Sequence, residues 1–220
     1  MSTTNTNPTI SLALRKLQVS LYTDLNTDAL RQLLNLPAVY REYAEKIIEK
    51  QAEEINNDNS LSEDEKHMLS EYLADDSYDI DVLLKFYDDI PIITLYKTIE
   101  INIKNATKAS GIFDQEDSKA TKNSEKPTER LYKLKDFKKN FKNKGIDITS
   151  ILNYSSYLEL RELNNCLKHS GKVSNNLHQI TTRYGKVNEN ITSPNINFHD
   201  LLDNNMIFLC NFGAELRARI

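Results

Sequence analysis

Pro91-Ile-Ile-Thr-Leu-Tyr-Lys-Thr-Ile-Glu-Ile-Asn-Ile-Lys-Asn-Ala106 is the stretch that decides the fold. Ile92, Leu95, Tyr96, Ile99, Ile103 and Ala106 recur at spacings of three and four, with Lys97, Glu100 and Lys104 between them. A period near 3.6 puts the apolar set on one face of a helix and the charges on the other, so one side of this helix faces a core. The same period recurs upstream at Tyr43, Ala44, Ile47, Ile48 and Ile55, and downstream at Tyr157, Leu160, Leu163 and Leu167. Five glycines and five prolines in 220 residues leave too little of the turn chemistry that a sandwich or barrel repeats after each strand. The expectation is an all-α protein, a helical bundle with a helical N-terminal extension.

Working outward, residues 1–9 read as a disordered tail and residues 10–84 as an acidic helical region. Thr27-Asp28 opens a helix to about Asn56, broken or bent near Pro37, because proline removes a donor and disfavours a helical residue before it. Ser62-Glu-Asp-Glu65 is a capping box that opens a helix to about Ala74, and a short helix follows over 78–87. Asp88-Asp89 ahead of Pro91 marks a new start for a long helix to about Ser110. Residues 85–220 form the bundle, with an exposed loop at 114–128 where apolar side chains are scarce. Beyond it come a basic helix over 128–143 ended by Gly145, and a helix over 151–169 stopped by Ser170-Gly171. A polar stretch to Asn197 then leads to a final helix from His199 to Arg217.

The formal charge of −4 conceals an asymmetry: residues 41–90 carry 16 acidic and 5 basic side chains, whereas residues 129–144 carry 7 basic and 2 acidic. An acidic surface of this kind suits a basic protein partner. The N-terminus has neither the basic start nor the apolar run of a signal peptide, two cysteines are too few for a disulfide scaffold, and no apolar run spans a bilayer. These features point to the cytoplasm and away from a membrane. No Cys/His spacing suggests zinc. The run from Asp75 begins like a calcium loop but places Ile80 at the turn glycine and Phe86 at the closing glutamate, so neither metal nor cofactor is expected.

Chemistry concentrates at the end of the helix over 151–169, where Arg161, Asn165 and then Lys168 or His169 lie along one flank. A cationic cluster ending in histidine beside a glycine-bearing loop can hold a phosphate and move a proton. The same residues also suit a solvated helix end, with cations at the negative pole of the dipole. Lys135, Lys138, Lys139 and Lys142, interleaved with Tyr132, Phe137 and Phe141, suit a nucleic-acid backbone with bases stacked between. They suit equally a lysine face over a buried apolar stripe.

Leu160-Arg-Glu-Leu-Asn-Asn-Cys-Leu-Lys-His-Ser-Gly171, followed by Lys172-Val-Ser174 and Leu177, resembles the signature region of HEPN-like proteins. The long helix before it, with Tyr96 and Glu100, resembles their core helix; together the matches fall within residues 85–220. The resemblance implies an all-helical, homodimeric domain of bacterial defence or toxin–antitoxin systems, acting on RNA as a metal-independent endoribonuclease. The family's motif is an arginine followed after four to six residues by a histidine. Here His169 matches the histidine and Asn165 the polar residue after the arginine, while Asn164 occupies the arginine's usual place. The nearest arginine, Arg161, is separated from His169 by seven residues. The resemblance gives His169 the proton transfer at a ribose 2′-hydroxyl and Arg161 or Lys168 the developing phosphate charge. The alternative is a non-catalytic interaction module, of immunity or antitoxin type, that binds a basic protein through its acidic 41–90 surface.

Overall fold

The structure, a computed structural model, describes residues 11–120, 126–192 and 195–220, less the side chains of residues 76, 77, 79, 81 and 85. The tail expected at 1–9 lies outside the described residues, as do residues 121–125 of the expected loop. The protein is an all-α helical bundle. Its helices are α1 (Leu12–Thr23), α2 (Asp28–Gln32), α3 (Leu36–Asn57), α4 (Glu63–Ser110), α5 (Asp114–Lys119), α6 (Leu134–Asn143), α7 (Tyr154–His169), α8 (Asn175–Ile180) and α9 (Phe198–Arg219). No strand forms among the described residues, where an isolated antiparallel bridge joins Lys172 to Asn190.

The chain divides into two compact units, Thr27–Thr94 and the remainder, Met1–Asn26 with Leu95–Ile220. This differs from the partition expected from sequence, 10–84 and 85–220, because α1 belongs with the C-terminal helices. The reason is a close approach on α9. A Cβ at Gly213 would meet Thr23 of α1, with the two Cβ atoms 2.7 Å apart, so only glycine lets the helices pack there. Arg217 then donates to Ser20 Oγ at 3.0 Å and Thr23 Oγ1 at 3.3 Å. In the same unit Phe137 and Phe141 of α6, Tyr157 of α7, and Phe208 and Phe212 of α9 form an aromatic core. Its pairs include Phe137 with Phe141 at 5.2 Å, Phe141 with Phe212 at 5.3 Å and Tyr157 with Phe208 at 4.9 Å. Such pairs contribute about 0.5–1.5 kcal/mol each beyond the area they bury.

Three local expectations are corrected here. Residues 114–119 are helical rather than loop, because charge pairing supplies what apolar surface does not. Arg15 bonds Asp114 at 3.0 Å, Lys144 bonds Glu116 at 2.6 Å and Thr128 Oγ1 donates to Asp117 at 2.7 Å. Lys144 accordingly lowers the Glu116 pKa below the ordinary carboxylate value. The basic helix begins at Leu134 rather than Thr128, since Pro127–Glu129 is a separate 3-10 turn. The polar stretch before Asn197 contains α8, capped by Ser174 Oγ, which accepts from Leu177 N at 3.1 Å.

In the other unit, Pro37 falls in the first turn of α3, after a 3-10 turn at Leu33–Asn35. The capping box forms: Glu65 N donates to Ser62 Oγ at 3.3 Å, and Ser62 N to Glu65 Oε2 at 2.8 Å. The breaks expected at 75–77 and 88–91 do not occur, for α4 is continuous from Glu63 to Ser110 with Pro91 inside it. Asp and Ser each cost a helix interior well under about 1 kcal/mol. Pro91 forfeits the bond to the Tyr87 carbonyl and crowds it, a cost of about 3 kcal/mol that the burial of Ile92, Leu95 and Ile99 directly after it offsets. Within this unit α3 and the first part of α4 run antiparallel. Lys66 reaches the Asn56 carbonyl at 3.1 Å near the loop, and Tyr40 stacks on Tyr87 at 4.5 Å near the far end.

Gly213→Ala should destabilise the protein by about 1–3 kcal/mol through overpacking against Thr23. Thermal unfolding followed by circular dichroism checks this, and an unchanged midpoint would remove the close-packing account. On the same helix, desolvation and a hydrogen bond to Asp24 raise the pKa of the Cys210 thiol. Because a raised thiol pKa delays thiolate formation as pH rises, iodoacetamide should modify Cys210 slowly near neutrality, and Asp24→Asn should speed it several-fold.

Candidate functional site

α7 is set by its two ends. Asn153, left-handed at φ 62°, turns the chain into it and donates to Asn204 Oδ1 of α9 at 3.1 Å. At the other end Ser170 and Gly171 both donate to the Cys166 carbonyl, at 3.0 and 2.9 Å, with Gly171 at φ 65°. That is the cap the sequence foretold, and it fixes where His169 emerges. Tyr154, Tyr157, Leu160, Leu163, Asn164 and Cys166 are buried, whereas Leu167 is only half-buried, so Cys166 takes the inward position at the last turn.

The four residues singled out on α7 do not converge. Arg161 pairs with Glu162 and lies close enough to Tyr96 of α4 for its charge to act on the phenol. Its side chain is 20% exposed and that of Glu162 is 11%, so this ion pair belongs to the packed interior more than to a surface site. Burial, then the neighbouring Glu100, raise the Tyr96 pKa, with Arg161 opposing them, and burial raises that of Tyr157 as well. Both phenols therefore stay protonated at neutral pH. Lys168 is exposed and does not line the groove that His169 lines.

That groove, of about 540 Å³, has Glu162, Asn165, Cys166 and His169 of α7 on one wall. The other wall is an excursion of the chain carrying Ser170, Lys172, Val173, Ser174, Asn176 and Asn188. Backbone bonds close the excursion at its base: Val173 N donates to Glu189 O at 2.9 Å and Ile191 N to Gly171 O at 2.8 Å. Tyr184, buried within it, donates to Glu159 Oε1 of α7 at 2.7 Å, and Arg183 pairs with the same carboxylate. Burial and the Glu159 contact raise the Tyr184 pKa, so this donor also keeps its proton. The outcome is a pinned wall that holds Lys172 and Asn188 across from Asn165 and His169. With the Glu162 charge matched by Arg161, the groove offers an imidazole, an ammonium and amide groups: enough to hold a phosphate and exchange a proton with it.

Lys172, Asn176 and Asn188 were not singled out from the sequence. The signal available was the pair of punctuation marks around them, Gly171 and the Ser174 cap, which reveal a chain reversal but not its closure. On α6, Lys135, Lys139 and Lys142 are exposed and Lys138 is half-buried, its Nζ 5.4 Å from the Tyr154 ring centroid. Phe137 and Phe141 are fully buried in the core, so they cannot stack on bases. None of the four lysines lines the His169 groove.

Among the described residues no group of three His, Cys, Asp or Glu side chains is placed to hold a metal ion, and no helix is long and apolar enough to cross a membrane. Comparison with protein-family models, with curated proteins and with solved structures gives no match.

Arg161→Ala should cost about 3 kcal/mol, because it strands the largely buried Glu162 carboxylate. The double variant Arg161→Leu/Glu162→Leu should recover most of that loss. Unfolding midpoints decide the matter: a silent Arg161→Ala would mean that the guanidinium is not part of the core.

Proposed function

We propose that the chain is a degenerate HEPN-like protein of a bacterial defence or toxin–antitoxin system, which binds RNA in the groove beside His169 and does not cleave it. The observation that carries this reading is the commitment of Arg161 to Glu162 and Tyr96, while Asn165, His169 and Lys172 remain on an open groove. In the motif that α7 resembles an arginine meets the charge that develops on the phosphate; here Arg161 is held by Glu162, and the ammonium of Lys172 is a point charge without the bidentate fork of a guanidinium. Losing one such preorganised group costs a rate factor on the order of a hundred to a thousand. Binding makes no such demand; it needs a phosphate held by Lys172 and His169, with Asn165 beside them. A homodimer that sets two copies of α7 side by side belongs to the same reading.

The test is fluorescence anisotropy with a labelled single-stranded RNA in the presence of EDTA, with the same RNA run on a denaturing gel. Binding that weakens with salt, about fivefold weaker in His169→Ala and in Lys172→Ala and with intact RNA throughout, is the expected result. Metal-free cleavage lost in His169→Ala would replace the degenerate protein by an active ribonuclease. Absence of binding would end both versions.

A second reading is favoured by the acidic unit. Residues 41–90 hold 16 acidic and 5 basic side chains, and large apolar side chains such as Tyr43, Tyr72 and Phe86 are exposed there. In this reading the chain is a non-catalytic partner, of immunity or antitoxin type, for a basic protein.

A further inference from the structure

In the unit Thr27–Thr94 the inward seam of the α3/α4 hairpin is formed by Tyr40, Ala44, Ile48 and Ile55 against Leu73, Ile80, Leu84 and Tyr87. Of these only Ala44 and Leu84 are fully buried. A second apolar set lies outside the seam. On α3 it is Leu36, Val39, Tyr43 and Ile47, with Val39 61% and Tyr43 63% exposed; on α4 it includes Leu83 and Phe86, the latter 60% exposed.

At about 100° per residue, each outer stripe stands roughly a quarter turn from its own seam, in the same rotational sense on both helices. In an antiparallel pair, equal-sense offsets fall on one side, so the two stripes share a face. The Tyr40–Tyr87 stack sets the register and brings Val39 and Tyr43 level with Leu83 and Phe86. The result is one continuous apolar strip, not scattered surface residues.

We infer that this strip docks an amphipathic helix of a partner protein, whose apolar ridge covers Tyr43 and Phe86 and whose flanks carry lysine or arginine. The inference rests on the second reading above, that the acidic unit binds a basic protein, and adds the surface and the form of the partner. Charge selects the occupant. The strip lies in a region with a surplus of 11 acidic side chains, including Glu71 and Asp75 on the flank of α4. A second copy of the same hairpin would bring an equal surplus against it. The basic α6 of a second copy fits no better, since its apolar residues Phe137 and Phe141 are fully buried in its own core. A helix with a leucine ridge and cationic flanks satisfies both the strip and the field.

The probe is a labelled synthetic helix of about 18 residues, long enough to cover the strip, with leucines in heptad spacing and lysines elsewhere. It is titrated against the full chain by anisotropy, beside a glutamate-flanked version and a scrambled lysine version. The expected result is binding of the first peptide only, weakened at least about tenfold by Tyr43→Ser/Phe86→Ser and unchanged by Leu152→Ser, an exposed apolar control in the other unit. All replaced side chains are exposed, and circular dichroism verifies folding.

Binding that survives Tyr43→Ser/Phe86→Ser but is lost on neutralising Glu45, Glu49 and Glu53, outside the apolar stripe of α3, would overturn the strip and leave the basic-partner reading standing. Equal binding of all three peptides, or of none, would overturn both. Self-association of the chain abolished by Tyr43→Ser would make a second copy the occupant, and the inference would fall.

Discussion

The aromatic packing of α6, α7 and α9 is the constraint on which the candidate site depends. Phe208 and Phe212 stand one turn apart on α9 and touch, between them, Tyr157 of α7 and both Phe137 and Phe141 of α6. These side chains are too large and too buried to shift without opening a cavity. The azimuth of α7 is therefore fixed by Tyr157 and Leu160, and the direction in which Arg161, Asn165 and His169 leave the helix follows from it. Arg161 comes out toward Tyr96 and finds Glu162 there. Asn165 and His169 come out toward the excursion after Gly171. The separation of the two functional candidates is thus a consequence of core packing.

How much of this was legible in the sequence varies with the kind of signal. The helix carrying Ile99 and Ile103, the capping box at Ser62, and the stops at Gly145 and Gly171 were all readable, because each rests on contacts within a few residues. The continuity of α4 was not: Asp75-Asp-Ser77 costs a helix interior little, and the roughly 3 kcal/mol that Pro91 costs is offset by the burial of Ile92, Leu95 and Ile99 directly after it. The helicity of Asp114–Lys119 was also hidden, since its partners Arg15 and Lys144 are distant in sequence. In the site, the spacing correctly set Asn165 and His169 on one flank. It could not show that Arg161 is held by Glu162, because adjacent residues on a helix diverge and their pairing depends on side-chain rotamers and on Tyr96.

The two units differ in what they leave uncovered. The first closes its core within its own chain and leaves a polar groove, suited to a ligand that carries charge. The second, Thr27–Thr94, leaves much of its apolar surface uncovered, as expected of a short hairpin with only a narrow seam to bury.

Asn164 carries a further implication, for what substitution the helix tolerates. It occupies the arginine's usual place in the motif that α7 resembles, but it is 2% exposed and its Oδ1 finds no hydrogen-bond partner among the described residues. An arginine there would need an acidic partner that this interior does not supply, and an unpaired guanidinium would cost several kcal/mol. An Asn164→Arg substitution would be lost to misfolding before any effect on the neighbouring groove could appear. The position therefore belongs to the stability of α7 and not to the groove beside it.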